Sequence, residues 1–164
     1  MKYMLDTDIC IYAIKHKTEA VIRRLLLHDP EEMCISSVTY GELMHGVEKS
    51  MAPEKNRLAI SLFLSPIAVL DFSAKAAEEY GKIRAELERK GMPIGPMDLL
   101  IAAHAKAEGL TLVTNNTREF CRVENLPVED WALPLGGGDR GQRGGRACGE
   151  VPSGGRGPTD SVPR

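Results

Sequence analysis

The chain has 164 residues, a formal net charge of −2 and 43% hydrophobic residues. That length suits one domain with a real core, and that charge excludes a globally basic nucleic-acid binder. No run approaches the roughly 20 apolar residues of a membrane helix, and Asp6 and Asp8 break up what would be a signal peptide, so a soluble cytoplasmic protein is expected.

Lys2 to Leu5 reads as a short buried strand. Asp8 is placed to cap a helix over 9–16, and a second helix fits 17–28, stopped by Asp29-Pro30. Met33 to Ser36 is a strand, and Ser37 is a good N-cap for a helix over 38–49. Residues 53–64 look helical, with Pro53 at the start and Pro66 past the end. Ile67 to Phe72 is a strand. Ser73 then caps a long amphipathic helix to about Lys90, closed by Gly91. Pro96 opens a helix to Glu108, ended by Gly109. Leu110 to Thr114 is a strand, followed by a short helix near 117–120 and an extended tip near 127–131. Strands alternating with helices predict an α/β fold with a mostly parallel sheet. Ligands of such sheets bind beyond the carboxyl ends of the strands. Asp6 and the pair Asn115-Asn116 both fall there.

The domain is expected to occupy residues 1–132. Residues 133–164 hold 10 of the 16 glycines and 4 of the 10 prolines, with five Arg against three acids. So little apolar content cannot offset the entropy of ordering, and this tail reads as disordered. Its Gly-Arg content would suit a nucleic-acid-binding extension, but an appendage irrelevant to the chemistry is the preferred reading. The four cysteines, Cys10, Cys34, Cys121 and Cys148, show no C-x-x-C pair and no metal-ligand spacing with His. They are expected to be buried or incidental thiols of a reducing compartment.

Three carboxylates stand beside core-forming sequence. Asp6 ends the run Tyr3-Met4-Leu5, Glu42 sits in Ser36-Ser37-Val38-Thr39-Tyr40-Gly41-Glu42-Leu43, and Asp98 sits in Gly95-Pro96-Met97-Asp98-Leu99-Leu100. A charge in such a place is costly unless it is paired or holds a cation. With no His or Cys cluster nearby, an all-oxygen site for Mg²⁺ or Mn²⁺ is the natural expectation. The bland alternative for any one of them is a helix cap or a surface charge.

These segments, together with Leu112-Val113-Thr114-Asn115-Asn116-Thr117-Arg118-Glu119-Phe120, resemble in order and spacing a PIN-domain ribonuclease, in particular the VapC-type toxins of bacterial toxin–antitoxin pairs. Any one motif is weak; four in order are specific. The resemblance covers residues 1 to about 132. It implies a three-layer α/β/α domain and Mg²⁺-dependent cleavage of structured RNA, with tRNA the leading substrate class, by metal-activated water. It also implies a homodimer and neutralisation by a VapB-like antitoxin. Onto this chain it carries Asp6, Glu42 and Asp98 as metal-holding catalytic acids. Many relatives have Asp where this chain has Asn116, an amide that can orient the site without adding charge. Glu119, one helical turn on, and Asn115 are possible substitutes for that fourth acid. The rival functions are a structure-specific DNA nuclease, disfavoured because no long arch insertion is present, and a catalytically idle binding module.

Other residues rank lower. Thr7 can hydrogen-bond the Asp6 carboxylate, or serve only as a turn residue. Asp8 and Ser37 read as caps, and Asp71 as a turn or cap residue. His104, six residues beyond Asp98 on one helix, reads as packing rather than as a base. Tyr80-Gly81 and Ala85 read as core and close helix packing. Arg118, beside the asparagine pair, is the best phosphate-binding candidate. Arg122, Lys82, Arg84, Arg89 and Lys90 more often form a solvated helix face.

Overall fold

A computed structural model describes residues 1–134 and Cys148. Five short strands form one all-parallel sheet: β1 (Tyr3–Leu5), β2 (Met33–Ser36), β3 (Ala68–Leu70), β4 (Thr111–Val113) and β5 (Val128–Glu129), in the order β3-β2-β1-β4-β5. The helices are α1 (Thr7–Ile14), α2 (Glu19–Leu26), α3 (Ser37–Glu48), α4 (Pro53–Leu64), α5 (Ala74–Arg89), α6 (Pro96–Ala107) and α7 (Thr117–Phe120), with a 3₁₀ turn at Pro30–Glu32.

Side chains alternate across the sheet, and each face builds its own core. Met4, Cys34 and Leu112 join Ile83, Leu87, Ile101 and Phe120 on one side. Leu5, Ile35 and Val113 join Ile9, Val21, Leu43, Ile60 and Trp131 on the other. The result is the expected three-layer α/β/α arrangement. Strands buried on both faces explain why the sequence shows short continuous apolar runs rather than alternation. Gly91 and Gly109, at φ of +65° and +66°, close α5 and α6 in a conformation that side chains resist.

The order of strands matters for function. The chain winds outward from β1 through β2 to β3, then returns to the other side of β1 for β4. Helices therefore leave β1 and β4 toward opposite faces, and a crevice opens above their carboxyl ends. Leu5 pairs with Val113, and the Asp6 N–H donates to the Val113 carbonyl at 2.9 Å. Residues 6 and 114–116 are thus fixed side by side at that crevice.

Several local expectations need correction. Asp6, not Asp8, caps α1, accepting from the Thr7 N–H at 2.7 Å. Ser36, not Ser37, caps α3, accepting from the Val38 N–H at 3.1 Å. Ser37 instead accepts from the Phe72 N–H, tying the β3 exit to α3. In each case the helix starts one or two residues earlier because the last strand residue, or the one after it, already carries a capping oxygen. Gly81 and Ala85 are exposed, and a Cβ at Gly81 would meet nothing among the described residues, so the expected close helix packing is not found there. Cys121 and Cys148 form a disulfide with 5.3 Å between their Cα atoms, against the expectation of four separate thiols. Cys10 and Cys34 are buried free thiols as expected. Apart from Leu133, Pro134 and Cys148, the tail read as disordered lies outside the described residues. Among the described residues no helix is long and apolar enough to cross a membrane.

Candidate active site

Asp6 stands where β1 turns into α1. It is 4% exposed. The Thr114 hydroxyl donates to its Oδ2 at 2.8 Å, and the Thr7 N–H to its Oδ1. Burial pushes its pKa up to about 6; the two hydrogen bonds resist, while Asp8 and Glu42 push further upward. Glu42 lies one turn into α3, half-buried, and its Oε2 accepts from the Thr7 hydroxyl. Thr7 therefore serves both acids, its N–H on Asp6 and its hydroxyl on Glu42.

Asp98 sits in the first turn of α6, after Pro96 has opened the helix. Burial raises its pKa to about 7, helped by a hydrogen bond with Glu119 and by the charges of Asp6, Glu119 and Glu42. Glu119 moves the opposite way, lowered first by that same hydrogen bond with Asp98. The same contact thus moves the two acids in opposite directions. Asn116 donates its side-chain amide to Asp98 Oδ2 at 3.1 Å and to Glu119 Oε2 at 3.3 Å. Its own N–H donates to the Thr114 hydroxyl at 3.0 Å. Thr114 thus links the Asp6 carboxylate to the Asn116 backbone through a single oxygen.

The expected residues mostly converge here. Asp6, Glu42, Asp98, Thr7, Asn116 and Glu119 lie in one electrostatic neighbourhood. Asn115 is instead turned to α1, where its amide donates to the Tyr12 hydroxyl at 2.8 Å. Arg118 is exposed, precedes Glu119 in the chain and has no ion-pair partner among the described residues. Lys82 and Arg84 are paired with Glu79 and Glu88, Lys90 bridges Glu86 and Glu124, and Arg122 donates to the Pro93 carbonyl. Arg89 is simply exposed. His104 is fully buried, with Nδ1 2.8 Å from the Ser36 hydroxyl and its ring edge-on to Phe72. Burial holds its pKa below the ordinary value. Asp71 is exposed.

Two contributors escaped the sequence reading. Thr114 looked like the last residue of a strand, and only the pairing of β4 with β1 reveals that its hydroxyl meets Asp6. Gly95 was given no role of its own beside Asp98. A Cβ there would stand 3.7 Å from Asp98 Oδ2 and 3.9 Å from Glu119 Oε2, so its absence leaves room over both oxygens.

A PIN domain model matches residues 3–126. The chain belongs to the PIN-domain family. Within that family its relatives are VapC ribonucleases. It is 54% identical over 132 residues to the tRNA(fMet)-specific endonuclease VapC of Shigella flexneri, covering 80% of this chain and 99% of the relative. It is 49% identical over 132 residues to Ribonuclease VapC2 of Rickettsia felis, covering 80% and 98%. Among solved structures, DNA-bound VapBC from Salmonella typhimurium matches with a TM-score of 0.76 and 50% identity, over 80% of this chain and 98% of that one. VapBC2 from Rickettsia felis, bound to a promoter DNA fragment, matches with a TM-score of 0.75 and 47% identity, over 80% and 99%. The PIN-like fold and the VapC-type ribonuclease class read from the sequence are borne out.

Proposed function

We propose that this PIN-domain chain is a Mg²⁺-dependent endoribonuclease toxin that cleaves tRNA, initiator tRNA in the first instance, and that a VapB-like antitoxin neutralises it. The observation that carries this reading is the group of acids above β1 and β4. Asp6 and Asp98 are both held well above the ordinary carboxylate range, chiefly by burial and in part by neighbouring acids, Glu42 among them. Acids so placed gain from a cation, and their donors are all hard oxygens, as Mg²⁺ or Mn²⁺ prefers. The space left by Gly95 opens onto two of these oxygens. Among the described residues no three such side chains stand as a preformed metal cluster. Mg²⁺ keeps several waters and needs only one or two carboxylates, so an open acidic mouth fits it better than a closed cage would.

Asp6, Glu42 and Asp98 would hold the ion. When bound, it supplies charge neutralisation of the phosphodiester and activation of a water nucleophile. The chain's own residues do the rest. Thr7 and Thr114 fix the Asp6 and Glu42 carboxylates in place. Asn116 keeps Asp98 and Glu119 together, and Asp98, raised to about 7, is a group able to take up or release a proton. Arg118, exposed and next to Glu119 in the chain, meets a phosphate of the RNA.

Partners follow from the same comparisons. The matched structures are named as VapBC assemblies, and the Shigella relative as specific for tRNA(fMet). An apolar groove of about 520 Å³ between α1, α2 and α4, with Leu26 and Leu62 exposed at its edge, offers an antitoxin segment a place to bind. We assign the toxin a homodimeric state, as the resemblance implies.

The test is cleavage of tRNA(fMet), an unrelated elongator tRNA and a flap DNA by wild type and Asp6→Asn, with Mg²⁺ or EDTA. Metal-dependent cutting of tRNA(fMet) alone, lost in Asp6→Asn, is expected. Cutting of the flap DNA in preference to RNA would make it a DNA nuclease. No cutting of any substrate would leave an idle binding module.

A further inference from the structure

A second cavity touches the acid site at Glu42. It has a volume of about 460 Å³ and lies between α1, α3 and α4, with Glu42 in its wall. Ile11, Ile14, Leu43, Val47 and Ile60 make the apolar sides. Lys15 and Lys55 stand at its edge, both exposed, and neither has an ion-pair partner among the described residues. That sets them apart from Lys2, Arg57, Lys82, Arg84 and Lys90, each paired with a glutamate. Asn56 also lines the cavity. It is half-buried, and its side-chain amide has no hydrogen-bond partner among the described residues.

We propose that this cavity is the pocket for a nucleotide next to the scissile phosphate. An unstacked base enters between the aliphatic walls, Asn56 reads its edge, and Lys15 and Lys55 take flanking phosphates. The inference rests on the ribonuclease reading and deepens it. Its chemistry is that of single-stranded RNA recognition, in which bases are splayed out of the stack and met on their hydrogen-bonding edges. A cavity of this size lies in the ordinary range for small-molecule sites, roughly 300–1,000 Å³. An amide offers both a donor and an acceptor, which is what a base edge requires. Unpaired ammonium groups at the mouth complement a polyanion. The larger groove beyond α2 has no lysine, arginine or carboxylate in its lining. An apolar peptide belongs there, and a nucleotide belongs in the cavity that carries charge and reaches Glu42.

The experiment uses the full chain carrying Asp6→Asn, in EDTA, so that nothing is cut. Methyl NMR signals of Ile11, Ile14 and Ile60 are followed against the four ribonucleoside 5′-monophosphates and an eight-nucleotide single-stranded RNA. Saturable shifts at these methyls are expected, with one base preferred. Asn56→Ala should erase that preference. Lys15→Ala with Lys55→Ala should weaken the RNA by roughly tenfold and flatten the log–log salt dependence by about 0.7 per lysine. In the active enzyme the same changes should raise KM and leave kcat within about twofold. Absence of shifts, shifts confined to Ile22 of the apolar groove, or shifts seen only with an antitoxin peptide would each overturn the proposal. The two readings fail separately. Shifts without metal-dependent cleavage keep the nucleotide pocket and reject the nuclease; cleavage without shifts does the reverse.

Discussion

Asn116 donates its side-chain amide to Asp98 Oδ2 at 3.1 Å. The same nitrogen reaches Glu119 Oε2 at 3.3 Å, so one neutral donor holds two acids. An acid at position 116 would reverse that polarity. Asn116→Asp should therefore destabilise the metal-free protein, because it replaces a donor with a charge beside two partly exposed acids. It should also tighten Mg²⁺ by adding attraction. Asn116→Ala should slow cleavage less than loss of Asp6, Glu42 or Asp98. Mg²⁺ titrations of cleavage, alongside denaturant melts in EDTA, test both parts. A metal-free Asn116→Asp protein as stable as wild type would show that the amide does not hold the acids. A response to Glu119→Gln with none to either Asn116 change would give the supporting role to Glu119 alone.

Asp6→Asn, Glu42→Gln and Asp98→Asn should each reduce cleavage by at least about a hundredfold and relieve toxicity in cells, since each would hold the ion that offsets phosphate charge. The folded domain should persist in all three, as judged by circular dichroism. Near wild-type cleavage at low Mg²⁺ in any of them removes that residue from the site.

Without metal, stability should fall as pH rises from about 4 to 7. Asp6 has a pKa of about 6 in the fold against an ordinary 3.8, so the native state binds its proton more tightly than the unfolded chain does. Its contribution is complete below about pH 4 and is lost as pH climbs through 6. For this buried group the loss is about 3 kcal/mol. Asp98, raised to about 7, acts in the same direction through a higher window, but it is half-exposed and screened by water, so it adds less. Saturating Mg²⁺ should flatten the profile. Urea melts in EDTA between about pH 4.5 and 8 give the slope. A protein that grows more stable with pH over that range would contradict the burial of Asp6.

Thr114→Val should lower cleavage by roughly tenfold or more while keeping the shape of β4. The substitution removes the hydroxyl that donates to Asp6 and accepts from the Asn116 N–H, leaving two partners unsatisfied. Thr114→Ser should restore much of the activity. If Val and Ser behave alike, the hydroxyl has no part in the site.

How much of this was legible beforehand depends on what local sequence can encode. The helices opened by Pro53 and Pro96, and the turns at Gly91 and Gly109, could be placed because those residues act through their own backbone. Cap assignments slipped by a residue or two at Asp6 and Ser36, since adjacent Asp-Thr-Asp and Ser-Ser pairs offer two capping oxygens and packing decides between them. Asp6, Glu42 and Asp98 stood out as charges in apolar surroundings. Thr114 did not, because its meeting with Asp6 depends on a pairing across 108 residues. The outward face of α5 at Gly81 and Ala85 was misread, as small residues look the same in sequence whether they pack or face water.

The cysteines give the last prediction. Cys121 follows α7, the helix that carries Glu119, and is joined to Cys148, beyond the part of the chain that the PIN model matches. Cys10 and Cys34 are buried, and burial raises both thiols, Cys34 to about 12. A raised thiol is a poor nucleophile at neutral pH. The native, unreduced protein should therefore react with almost no thiol reagent. Unfolding without reductant should expose two thiols, and unfolding after reduction all four. Cys121→Ser should leave three thiols that titrate in denaturant without reductant. Four thiols in the unreduced, denatured protein would mean that Cys121 and Cys148 are not joined. A rapid native reaction at one or two sites would mean that Cys10 or Cys34 is more accessible than its burial indicates.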